Sequence, residues 1–383
     1  MKIALVIERM DPSRGGRETS TAQVACELAR RGHGVDVLCQ GGSWRADGVT
    51  VAPLGRGLLP RWKLANFVAA VQEAAGSGRY DIVHATLPVP GANVYQPRGG
   101  TIPGRRAAGL RRHRLTGWMR SGFSRAFNLR RRLMARLERQ VAGDSSVWCL
   151  AVSNMIAQEF RQHYRRTDRV RVIRNAVAVP QMSPEDRAHH RQRIRYSLGL
   201  SPKDVVFITV AKNFELKAIG QCIVAFARWY YRRRGDLDAR LVVVGRDNPE
   251  SYHRYAGLRD VGRQVVFVPP TPDIFEWYAA ADACVLLSWY DPCSRVVLEA
   301  ARWGIPSITT AYNGAAEVLA GGAGIVIDSP RNIKAVVESM DALSDPEVRA
   351  ACSKACVQLA PGLSIERHVD ELVRTYQEIA RRP

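Results

Sequence analysis

The residues best suited to chemistry lie in "SWYDPCSRVVLEAARWGIPSITT", directly after the apolar run "ACVLL". The run predicts a buried strand, and Asp291 falls in the loop leaving it. Ser294 and Arg295 open a predicted helix, and Glu299 follows about one and a half turns further on. Such a turn aims unpaired backbone amides and the positive end of a helix dipole at one point, with a carboxylate on each side. A phosphate suits the amides, and sugar hydroxyls, which need acceptors, suit the carboxylates. The competing reading is a surface pair between Glu299 and an arginine, and the spacing alone is equally compatible with it.

Other chemistries have less support. There is no GxxxxGK[ST] loop and no GxGxxG after a strand, which removes the usual sequence signs of nucleoside triphosphate hydrolysis and dinucleotide redox chemistry. The "DLD" at 236–238 sits in a polar turn, and His189 with His190 sits among prolines and charges; both read as solvated rather than metal-binding. Eight cysteines without a CxxC pair read as buried thiols of a reducing compartment. The opening "MKIALVIERM" has too short an apolar run for a signal peptide or a membrane span and predicts a first buried strand. No other run reaches spanning length, so membrane contact is expected to be peripheral.

The elements that must position these residues follow an α/β pattern. A chain of 383 residues, 46% hydrophobic and 24% charged, suits two domains of ordinary composition. Strands are predicted at Lys2–Glu8, Val35–Cys39, Asp81–Ala85, Ala92–Gln96, Val147–Val152 and Val170–Arg174, with "TAQVACELARRG" a helix stopped by Gly32. Periodicity lapses in "NAVAVPQMSPEDRAHHRQR", which predicts a linker over 179–200 between domains at 1–178 and 201–362. The second series of strands is Val205–Val210, Leu241–Val244, Val265–Val268, Ala283–Leu287, Ser307–Thr309 and Gly324–Ile327. Residues 363–383 read as an amphipathic helix capped by Ser364 with Glu366 in its first turn. Two open α/β domains in tandem place a ligand at the carboxyl ends of their strands.

The segment "DPCSRVVLEAARWGIP" resembles the E-x7-E and A-x-x-x-G-x-P motifs of the retaining glycosyltransferases of family 4, with Asp291 at the first glutamate and Glu299 at the second. "GGRETSTAQVACELARRGHGVDVL" looks like that family's glycine loop and first helix, and "TVAKNFELKAIG" resembles its Arg-x4-Lys pair, with Lys212 in the arginine's place and Lys217 as the lysine. "VIRNAV" resembles its domain-end signature. The resemblance implies a GT-B architecture: two Rossmann-like doubly wound domains facing a central cleft, with the C-terminal helix crossing back to the first. It implies a nucleotide-sugar donor, UDP-linked, with Glu299 on the ribose hydroxyls and Asp291 beside the transferred sugar. Amides of Ser294, Arg295 and Val296 and those near Gly15 and Gly16 would meet the diphosphate and sugar, and Lys212 with Lys217 would neutralise the leaving group without a metal or other cofactor. Asp291 is one methylene shorter than the family's glutamate, Lys212 lacks arginine's bidentate reach, and Arg98 stands near the place of a histidine that many relatives carry.

Residues 105–136 contain eleven arginines, no lysine and no carboxylate, and supply more than half of a formal net charge of +20. Within this basic insertion (98–139), Leu115, Met119, Phe123 and Phe127 recur every four residues beside Trp118, which predicts an apolar helical stripe rimmed by cations. That composition suits an anionic membrane surface, with Arg98, Arg111, Arg112, Arg114, Trp118 and Phe123 as acceptor or membrane contacts. The alternatives are a stripe packed on the first domain with solvated arginines, or a basic nucleic-acid-binding protein on a degenerate fold. No nucleic-acid reader motif is present. "PGANVYQ" and the insertion after it resemble the subgroup that glucosylates the heptose of lipopolysaccharide core, which implies a glycolipid acceptor and a cytoplasmic, peripheral place on the inner face of the membrane. A soluble transferase acting on a small or protein acceptor is the alternative within the family.

Overall fold

The computed structural model describes residues 1–54, 63–112, 129–233 and 235–381. It divides into two compact units, Met1–Ala176 with Ser364–Pro383, and Val177–Leu363. The first holds a seven-stranded sheet of β1 (Lys2–Val6), β2 (Gly34–Cys39), β3 (Val49–Pro53), β4 (Ile82–Ala85), β5 (Val94–Tyr95), β6 (Trp148–Ala151) and β7 (Val170–Val172). The order is β3-β2-β1-β4-β5-β6-β7 and all pairs are parallel. Because the sheet is covered on both faces, its inner strands are largely apolar rather than alternating, with His84 in β4 and Asp36 in β2 as buried polar residues among them. Leu5, Val37 and Val94 pack on one side with the helix Gly16–Arg30, and Ala4, Val6 and Val83 pack on the other with Phe67 and Val71.

The helix Ile365–Ala380 closes the first of these cores. Ile365, Val369, Leu372 and Tyr376 repeat on one helical face and are buried there. Ser364 caps the helix, its side chain accepting from the Arg367 amide at 3.2 Å. The chain thus leaves the first unit at Ala176 and returns to it at Ser364. Strand β3 has no counterpart among the predicted strands: it is an edge strand, half-buried, with a proline at its end.

The second unit holds β8 (Val205–Ala211), β9 (Ala239–Gly245), β10 (Val265–Val268), β11 (Ala283–Leu286), β12 (Ser307–Thr310) and β13 (Gly324–Ile327) in the parallel order β10-β9-β8-β11-β12-β13. Residues 179–200 are not the linker that their composition suggests. Pro184–Ser197 is a helix of this unit, capped by Ser183 and packed on the helix Ile274–Ala280. Its partners are polar: Arg191 and Arg195 both pair with Asp282, at 2.6 and 2.9 Å, and donate to carbonyls that end the neighbouring helix. Arginines at helix carbonyls take the place of an apolar stripe, so hydrophobic periodicity is silent here.

Candidate active site

Two loops leaving adjacent strands of the second unit build the site. Strand β8 runs into Lys212–Ala218 and the helix Ile219–Arg233, and β11 runs into the Asp291 loop and the helix Arg295–Arg302. These strands are neighbours at the place where the strand order reverses, so their connections diverge and leave a crevice at the carboxyl ends. The first loop is braced by Asp247, which accepts from the Phe214 amide at 2.8 Å, and by Asn213, whose Oδ1 accepts from the Leu216 amide at 2.7 Å. The Trp289 amide donates to the Leu216 carbonyl at 3.0 Å and ties one loop to the other.

Lys217 therefore points at Asp291. Its Nζ donates to Asp291 Oδ2 in a short ion pair and reaches Ser288 Oγ at 3.3 Å. Both side chains are largely shielded from solvent, where a pair of opposite charges is screened less than at the surface. Asp291 Oδ1 also accepts from the Cys293 amide at 3.2 Å. Lys212 lies exposed at the start of its loop. The expectation that the Ser294 amide faces a ligand is corrected, because that N–H already donates to Asn313 Oδ1 at 3.2 Å. Arg295 and Val296 lie in the first turn of the helix, at the positive end of its dipole.

Glu299 is not a surface carboxylate, although it does pair with an arginine. Its Oε1 accepts from Arg295 at 3.2 Å, and its Oε2 accepts from the hydroxyl of fully buried Tyr278 at 3.4 Å. Burial pushes the Glu299 carboxyl above its usual range, and the charge and hydrogen bond of Arg295 with the hydroxyl of Tyr278 oppose that shift. Burial and then the Glu299 charge push the Tyr278 hydroxyl well up, so it stays protonated and can donate. With one donor on each oxygen, the carboxylate keeps a lone pair on each for two neighbouring hydroxyls. Sequence reasoning missed Tyr278 and Asn313. A tyrosine inside a helix carries no signal, whereas the "NG" turn after β12 marks only a turn.

Comparison with known proteins gives the family and the fold. Residues 14–179 match the family described as Glycosyltransferase Family 4, and residues 190–357 match Glycosyl transferases group 1. The chain belongs to the group 1 glycosyltransferases of family 4. It is 26% identical over 324 residues to the lipopolysaccharide glucosyltransferase WaaG of Escherichia coli K12, covering 82% of each chain. It is 27% identical over 402 residues to a D-inositol 3-phosphate glycosyltransferase of Catenulispora acidiphila, covering 95% of this chain and 90% of that one. The crystal structure of WaaG superposes with a TM-score of 0.80 at 22% identity, covering 98% and 99% of the two chains. An Anabaena protein, Alr3699/HepE, crystallised with UDP and glucose, superposes at 0.71 and 18% identity, covering 98% and 99%. The fold is GT-B, and the activity is glycosyl transfer.

In this glycosyltransferase the glycine loop of the first unit follows β1 at the second order reversal, between β1 and β4. Gly15 has φ 151° and ψ −179°, which side-chain-bearing residues rarely adopt, and Gly16 begins the helix Gly16–Arg30. Arg98 is not a membrane contact. It is buried, donating to Gln96 Oε1 at 2.9 Å and to the hydroxyls of Ser20 and Thr21 at 3.1 Å each, and so ties the exit of β5 to that helix. Arg111 and Arg112 end the helix Ile102–Arg112. Arg114, Trp118 and Phe123, with the rest of the predicted apolar stripe, lie outside the described residues.

The two described arms of the basic insertion, Ile102–Arg112 and Leu129–Gly143, are anchored by buried carboxylates. Glu138 accepts from the hydroxyls of Tyr95 and Tyr164, each at 2.5 Å, and from the Ile102 amide at 2.7 Å. Glu159 accepts from the Thr101 hydroxyl at 2.6 Å. Carboxylates at the start of Ile102–Arg112 satisfy its first amides and complement its dipole. The arms point arginines outward, Arg105, Arg106 and Arg111 on one and Arg131, Arg132, Arg136 and Arg139 on the other, beside exposed Leu110 and Leu129. Among the described residues no helix is long and apolar enough to cross a membrane.

Proposed function

We propose that this glycosyltransferase is a retaining hexosyltransferase that takes its sugar from a UDP-linked donor and passes it to a membrane-associated glycolipid, such as lipopolysaccharide core. The observation that carries the donor assignment is Glu299: a largely buried carboxylate with one donor on each oxygen, an acceptor suited to the vicinal hydroxyls of a ribose. The likeness to a fold that binds UDP and glucose in the Anabaena protein supports the nucleotide. In this reading Lys217 and Lys212 meet the diphosphate, and Lys217 exchanges its contact with Asp291 for one with phosphate oxygen. The bond from the sugar's anomeric carbon to the β-phosphate oxygen breaks, and its electron pair leaves with the nucleoside diphosphate. The acceptor hydroxyl attacks on the same face, and its proton passes to the departing phosphate oxygen. Asp291 faces the transferred sugar, and the two lysines carry the neutralisation that a metal ion supplies in other transferases.

The acceptor assignment is supported by the lipopolysaccharide glucosyltransferase relative and by the arginine-lined arms of the first unit, which suit an anionic surface. A second reading, a soluble phosphorylated polyol as acceptor, is favoured by the D-inositol 3-phosphate glycosyltransferase of Catenulispora acidiphila, which aligns over 95% of this chain. A nucleotide panel tests the donor: UDP raises the melting temperature more than GDP or ADP does, and UMP less than UDP because it lacks the second phosphate. Absence of any nucleotide effect sinks the donor assignment.

A further inference from the structure

Asn313, in the turn after β12, is 1% exposed and braces the loop that follows β11. Its Oδ1 accepts from the Ser294 amide at 3.2 Å and from the Ala315 amide at 3.0 Å. Its Nδ2 donates to Thr309 Oγ1 at 2.9 Å, and the Thr309 hydroxyl donates to the Leu286 carbonyl at 2.9 Å. The backbone of the same turn grips Asp291 from both sides: the Asp291 amide donates to the Tyr312 carbonyl at 2.9 Å, and the Gly314 amide donates to the Asp291 carbonyl at 2.8 Å. One carboxamide thus fixes the residue before the helix Arg295–Arg302, while its own turn fixes the carboxylate paired with Lys217. The assignment of the amide oxygen is forced by its two N–H partners, since the amide nitrogen could accept from neither.

We propose that Asn313 is a positioning residue for glycosyl transfer. It sets the distance between Asp291 and the helix that carries Glu299, and it withholds the Ser294 amide from the donor so that the diphosphate is met further along the turn. It touches no substrate in this role; it acts through Asp291 and the start of the helix. A loop that holds reacting groups tolerates little displacement, so loosening this turn lowers donor use far more than it disturbs acceptor binding, which belongs to other residues. The inference rests on the reading of Asp291 and Glu299 as donor-site residues.

The test compares Asn313→Ala with the near-isosteric pair Thr309→Val and Thr309→Ser, measuring KM for the nucleotide sugar and for the acceptor separately. Asn313→Ala raises the donor KM about tenfold or more, and Thr309→Val, which leaves the amide nitrogen without its acceptor, raises it by about threefold or more. Thr309→Ser keeps the oxygen and stays within about twofold of the wild type, as does the acceptor KM in all three. Donor KM unchanged in Asn313→Ala, or donor and acceptor KM rising together, overturns the proposal. If Asn313→Ala does not fold, Thr309→Val against Thr309→Ser decides alone. A wild-type protein indifferent to every nucleotide fails the donor reading instead, so the two failures are told apart.

Discussion

Glu299 combines two demands that conflict, because a carboxylate meant to accept hydroxyls must be ionised, yet burial favours its neutral form. Arg295 and Tyr278 reduce the conflict without removing it, since the folded-state pKa remains raised. A carboxyl raised on folding gives a stability contribution that is complete below its unfolded pKa and is lost as pH rises through the folded value. Glu299→Gln removes that titration. The variant is therefore expected to gain melting temperature relative to wild type as pH rises from about 4 to about 8, while donor turnover falls about a hundredfold or more at every pH. Paired melting curves across that range check the sign, and a variant that loses ground with rising pH contradicts it. Asp291, Lys217 and Glu299 were legible in sequence because motif spacing marks them. Their supports were not, since Tyr278 and Asn313 come from a helix and a turn distant in sequence and meet the site only through sheet order.

Among the elements, the parallel strands were the most legible, because buried strands leave unbroken apolar runs such as "ACVLL" and "VVFITVA". Elements held by polar contacts were the least legible: the helix Pro184–Ser197 rests on Arg191, Arg195 and Asp282, and the arm helices rest on Glu138 and Glu159. The arm Ile102–Arg112 shows how narrow such an anchor is. A Cβ added at Gly104 would overlap the Glu159 carboxylate. Gly104→Ala is expected to displace that carboxylate from Thr101 and to destabilise the protein by about 1–3 kcal/mol in chemical denaturation, as overpacking does. Combining it with Glu159→Ala relieves the clash, so the double variant loses less than the sum of the two single losses. Full additivity contradicts the contact.

Across the whole molecule, 56 basic against 36 acidic residues give the chain a net positive charge that attracts polyanions of every kind, so net charge alone names no partner. Placement is more informative. Eleven arginines without a carboxylate fall in residues 105–136, and the described arms on either side of the undescribed stretch turn arginines and Leu110 and Leu129 to solvent while Glu138 and Glu159 anchor them within the unit. Rigid anchoring of a cationic face suits a flat anionic surface, where each basic residue near the headgroups contributes about 1 kcal/mol and the attraction decays within a Debye length of about 8 Å at physiological salt. The chain is expected to sediment with vesicles containing phosphatidylglycerol and not with neutral phosphatidylcholine vesicles. Replacing Arg105, Arg106, Arg132 and Arg136 by serine lowers that binding by about tenfold or more, and raising the salt from about 0.1 M to about 0.5 M lowers it further in wild type than in the variant. Equal binding to neutral vesicles, or a preference for DNA over anionic vesicles at physiological salt, contradicts the membrane assignment. Binding that changes neither with salt nor on replacing these arginines would place the attraction in apolar contact, and the arginines would then be a solvated rim around it.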